Sequence, residues 1–126
     1  MKGFSLSKTK TPVATLPYEK IKNDILGHEY VVSLVFVGPK RAQVLNRTYR
    51  KKTYVPNVLA FPIDDTCGEI YMCTQNLKKE ALQYGMSVRI FTGFLFIHAL
   101  LHLKGHDHSD TMERMEIRYL KKYGLT

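Results

Sequence analysis

The stretch Phe96 to Asp110, FIHALLHLKGHDHSD, holds four of the chain's five histidines. Imidazole is the side chain best suited to binding metals and moving protons near neutral pH. His98 and His102 stand four residues apart in an apolar run. On a helix that spacing places both rings on one face, one turn apart, so both can point at one ion. His108 follows six residues later, beyond Gly105, where a helix can end and the chain turn back with a third nitrogen. Three neutral imidazoles suit Zn²⁺, one ion per chain, and leave a fourth position for water, as in catalytic zinc sites. Ni²⁺ or another late transition metal fits the same donors. The pattern predicts a zincin-like three-histidine metal site formed by His98, His102 and His108. His106 could take the place of His108, and Asp107 could orient a ligand imidazole.

A zinc peptidase of the HExxH type needs a glutamate directly after its first histidine to take a proton from water. Position 99 is alanine, so the peptidase reading is weakest at the residue it depends on. A bound metal also lowers the pKa of water to roughly 7 and polarises a phosphoryl oxygen. Phosphodiester hydrolysis needs those functions plus a cation to stabilise charge on the phosphorus oxygens. Lys40, Arg41, Arg47, Arg50, Lys51 and Lys52 supply cations with no acid among them. The whole chain carries 19 Lys plus Arg against 11 Asp plus Glu, a net charge of +8. That excess predicts attraction to polyanions, nucleic acid first and an anionic membrane surface second.

The elements that must position these residues follow from patterning. At 126 residues and 44% hydrophobic content, the chain suffices for one compact core, so one domain over 1–126 is expected. Tyr18, Ile21, Ile25 and Leu26 recur at helical spacing between Pro17 and Gly27. Tyr30 to Val37 is β-branched and aromatic, a buried strand ending at Gly38-Pro39. Lys40 to Lys52 reads as a helix with Ala42, Leu45 and Tyr49 inward and a basic outer face, running into a basic loop. NVLAFP and GEIYMC are strand candidates joined by an acidic turn, hence an antiparallel pair. Thr74 is placed to cap a helix with Leu77, Ala81 and Tyr84 on one face, ended by Gly85. The run from about Ser87 to Leu103 is apolar nearly all round, as in a buried helix, and is too short to span a membrane. Asp110 and Glu113 form a capping box for a last helix with Met112, Met115, Tyr119, Leu120 and Tyr123 inward. The order implies an α+β domain, a small mixed β-sheet packed with helices. Cys67 and Cys73 are expected as buried thiols in a reducing, cytoplasmic compartment, with no apolar secretory leader ahead of them.

HALLHLKGHDH resembles HGxLHLxGYDH, the signature of the YbeY family of bacterial endoribonucleases and rRNA maturation factors. LNRTYRKKTYVPNVLAFP is similar to that family's LNxxYRxKDxPT(D/N)VLSFP, and GEIYMC to its GDIxIC. Three ordered motifs carry the resemblance from roughly Val31 to Tyr123. It implies zinc-dependent cleavage of single-stranded RNA in 16S rRNA 3′-end maturation and ribosome quality control, with RNA and the ribosome or small-subunit precursor as partners. It also implies a compact α+β fold with the metal site in a cleft, and His98, His102 and His108 as zinc ligands. Arg50 matches the motif arginine, expected opposite the metal on the scissile phosphate, with Arg47, Lys51 and Lys52 holding the RNA backbone. The alternative is a ribosome-associated RNA-binding assembly factor whose zinc is structural. This chain departs from the pattern at Ala99 for Gly, His106 for Tyr, Thr53 for Asp, Val55-Pro56 for Pro-Thr and Ala60 for Ser. The central departures bear on the loop that presents Arg50.

Overall fold

The structure, a computed structural model, describes residues 3–8, 12–107 and 109–126. In chain order these form β1 (Phe4–Ser7), α1 (Tyr18–Leu26), β2 (Val31–Val37), α2 (Pro39–Arg50), β3 (Val58–Asp64), β4 (Cys67–Cys73), α3 (Thr74–Gln83), α4 (Val88–Lys104) and α5 (Asp110–Lys122). Among the described residues the strands make one sheet in the order β1-β2-β4-β3. β2 runs parallel to β1 and β4, and β3 runs antiparallel to β4, so the sheet is mixed as expected.

Strand alternation divides the apolar side chains between the two faces. Val32, Leu34 and Phe36 of β2, with Ile70 and Met72 of β4, meet Ile21 and Ile25 of α1 and Phe96, Ile97 and Leu100 of α4 in the main core. Each such side chain fully buried contributes about 1.5–3 kcal/mol relative to exposure. The other face carries a smaller cluster of Val37, Ala42 and Cys73, where α2 packs.

β1 was not anticipated. Only Phe4 of its four residues packs inward, stacking near Tyr18 and edge-on to Phe96 at 6.4 and 6.2 Å between ring centroids. A strand with one inward residue shows no period to read. Three local expectations also change. Ser109, not Asp110, caps α5, its Oγ accepting from the Met112 amide at 3.1 Å. Thr74 is the first residue of α3 and makes no cap, because β4 runs straight into the helix with Cys73 still extended. On that helix Leu77 and Ala81 are buried but Tyr84 is 69% exposed. Both cysteines are free thiols, Cys73 buried and Cys67 half-buried.

Two glycines allow what a side chain would block. Gly105 ends α4 at φ 109°, a left-handed geometry that disfavours other residues. A Cβ on Gly93 would lie 2.6 Å from Leu125 Cδ1, so its absence lets the C-terminal tail close over α4.

Candidate active site

α4 is buried along most of its surface, which fixes its rotation. Phe91 to Leu101 are buried apart from Phe94 and His98, and His102 follows, half-buried. Phe94, His98 and His102 therefore form one stripe at four-residue spacing, the side of the helix left open. Ser87 starts the helix, its Oγ accepting from the Ile90 amide at 3.1 Å.

That stripe opens into a cleft of about 450 Å³, lined by His98, Ala99 and His102 from α4 and by Val58, Leu59, Ala60 and Pro62 from β3. Arg50, Tyr54, Pro56 and Asn57 close it from the segment at the end of α2. The two imidazoles converge, with Nε2 of His102 3.1 Å from Nε2 of His98 and the rings nearly perpendicular at 84°. Behind His98, Glu116 Oε2 sits 2.5 Å from Nδ1. A carboxylate there holds the proton on Nδ1 and leaves the Nε2 lone pair facing His102 and the cleft.

Glu116 was missed in the sequence. It lies on α5, 18 residues from its partner, and is 6% exposed. A charged residue among the inward positions of α5, four after Met112, was the available signal, since buried carboxylates need partners. Asp107, the residue considered for this task, is exposed; the carboxylate on His98 is Glu116. His106 is half-buried, its amide donating to the Leu101 carbonyl at 3.0 Å. His108 lies outside the described residues. Among the described residues no three His, Cys, Asp or Glu side chains gather into a metal-binding group.

Arg50, the last residue of α2, is exposed and lines the same cleft as the histidines. Its Nη1 donates to Asn46 Oδ1 at 3.2 Å and to the Tyr54 hydroxyl at 3.1 Å. Asn46 is fully buried on α2, whereas Leu45 is half-buried and Tyr49 is 67% exposed. The inward face of α2 is thus Ala42 and Asn46. A buried amide is tolerated because both ends are bonded: its Nδ2 donates to the Tyr54 carbonyl at 3.0 Å.

The loop after Arg50 is tied down throughout by amide side chains. Gln43 donates to the Thr53 carbonyl at 2.9 Å and Asn76 to the Val55 carbonyl at 2.8 Å. Asn57 donates to Glu80 Oε2 at 2.6 Å. The residues at 53, 55 and 56 that depart from the motif therefore sit in a segment held largely through its backbone. Lys51 ends α2 in the left-handed region at φ 59°. Arg47, Lys51 and Lys52 are exposed and lie beside Arg50 in sequence, but none lines the cleft.

Paired imidazoles backed by a carboxylate, with a guanidinium in the same open cleft, mark this small α+β domain as an enzyme. Residues 5–125 match the family model described as Endoribonuclease YbeY, and the chain belongs to that family of nucleases, which are hydrolases. It is 37% identical over 128 residues to the Endoribonuclease YbeY of Alkaliphilus metalliredigens, covering 93% of this chain and 79% of that one. It is 30% identical to the Endoribonuclease YbeY of Polynucleobacter asymbioticus, covering 94% and 88%. A Thermotoga maritima protein solved in solution shares the fold, with a TM-score of 0.67 at 22% identity over 95% of this chain and 88% of that one.

Proposed function

We propose that this chain is a zinc-dependent endoribonuclease that cuts single-stranded RNA, acting in the cytoplasm on 16S rRNA 3′ ends and in ribosome quality control. The observation that carries the reading is the shared cleft of His98, His102 and Arg50, in a chain whose family is named for RNA cleavage.

The donor set suits a zinc ion. Tetrahedral ligation at about 2.0–2.1 Å puts neighbouring nitrogens roughly 3.3 Å apart, and the two Nε2 atoms stand 3.1 Å apart. His98 and His102 would hold the ion, with His108 as the third ligand, and Glu116 would fix the tautomer of His98. When bound, zinc supplies Lewis acidity toward a phosphoryl oxygen.

The chain's own groups do the rest. Arg50 spends its Nη1 donors on Asn46 and Tyr54, leaving three of the five guanidinium donors for the charge that grows on the phosphorus oxygens. Arg47, Lys51 and Lys52 attract the backbone phosphates leading to the cleft. Ala99 brings no proton acceptor to the cleft wall, as a peptidase would require.

An assembly factor with structural zinc is the less favoured reading, because structural sites are closed and this pair opens on a cleft. His98→Ala and His102→Ala are expected to lose both zinc and RNA cleavage, while Arg50→Glu keeps zinc and loses cleavage. Cleavage by metal-free His98→Ala protein overturns the proposal.

A further inference from the structure

Resting on that reading, we propose that Tyr54 forms a nucleobase subsite, its ring stacking on one unpaired base of the RNA whose phosphate Arg50 holds. Tyr54 is a large aromatic side chain left 53% exposed on the wall of the cleft. Tyr49, close by in sequence, packs its ring on Phe61 at 5.3 Å between centroids. Among the described residues the Tyr54 ring meets no other aromatic ring.

The ring is nonetheless held in place. Its hydroxyl accepts from Arg50, its own carbonyl accepts from buried Asn46, and the carbonyls on either side accept from Gln43 and Asn76. An exposed aromatic fixed beside a cation is the combination by which proteins grip single strands, since every base has a face to stack and every nucleotide a phosphate to pair. The hydroxyl and the ring thus have separate tasks. The hydroxyl positions Arg50, and the ring takes the base. A base already stacked within a duplex is unavailable to the ring, so the subsite would favour unpaired RNA.

The test compares Tyr54→Phe, Tyr54→Trp and Tyr54→Ala in the full chain. Binding is read in chelator by the fluorescence of a short single-stranded RNA carrying 2-aminopurine, and KM and kcat are read with zinc. Tyr54→Ala should weaken binding and raise KM by about 5- to 150-fold, the span of base-on-aromatic stacking, and lose the 2-aminopurine quench. Tyr54→Trp should restore KM and quench. Tyr54→Phe should keep both while lowering kcat, because only the tie to Arg50 is gone. A Tyr54→Ala protein with wild-type binding and quench overturns the subsite, as does an equal loss on duplex RNA. A wild-type protein that binds and quenches but never cleaves counts against the nuclease reading and leaves the subsite standing.

Discussion

Replacing Glu116 tests the carboxylate behind His98. Its Oε2 lies 2.5 Å from Nδ1 in a nearly sealed position. Glu116→Gln keeps the volume and an oxygen able to accept from Nδ1–H, so it removes only the negative charge. Glu116→Leu removes the acceptor as well and frees the imidazole to change tautomer or turn. Losing the partner of a ligating imidazole costs about 10- to 100-fold in metal affinity, equivalent to about 1.4–2.7 kcal/mol. The glutamine variant should fall near the lower bound and the leucine variant near the upper. Zinc affinity is measured by competition against a chromogenic chelator, with circular dichroism and thermal melting of metal-free protein to separate metal loss from unfolding. If both variants fold and bind zinc as tightly as the wild type, the carboxylate does not tune His98 and the reasoning is wrong.

Asn46→Ala should lower stability by about 1–3 kcal/mol, the net worth of the two hydrogen bonds its side chain makes to Arg50 and the Tyr54 carbonyl, and reduce kcat more than it raises KM; urea titration and steady-state kinetics read the two effects. Gly105→Ala forces a side chain into the left-handed region, costing about 1–2 kcal/mol, visible as a lower Tm. Burial and a hydrogen bond donated to Asp24 push the Tyr123 hydroxyl up to about 12. A raised folded pKa gives stability that is complete below pH ~10 and lost as pH rises toward 12, so Tyr123→Phe should flatten the alkaline limb of stability against pH. The Asp24 carboxyl is held below its usual range, first by its hydrogen bond with Lys122. Its contribution is present above pH ~3.9 and is lost on further acidification, so Asp24→Asn should blunt the acid limb between α1 and α5.

What could be read from the residues was whatever repeats or punctuates. α1, β2, α4 and the β3–β4 pair declared themselves through apolar spacing and glycines, because those signals are local. His98 and His102 were visible for the same reason, being one turn apart on a helix whose other sides are apolar. Asn46 and Glu116 were not, because the worth of a buried polar side chain resides in a partner elsewhere in the chain. The Glu116 partner is 18 residues away, and Asn46 serves a loop carbonyl that no pattern marks. The inward face of α2 was misjudged on that account: Leu45 and Tyr49 were expected inward beside Ala42, and the structure buries Asn46 with Ala42 instead.

The amide ties along the cleft rim bear on how the enzyme should respond to salt. Gln43, Asn46 and Asn76 bind carbonyls as neutral donors, so added ions do not screen them as they screen charge pairs. The phosphate binding proposed for the basic segment, by contrast, would weaken steeply as salt rises. Ionic strength should therefore govern how often RNA arrives and hardly alter the shape it meets, raising KM while kcat stays level.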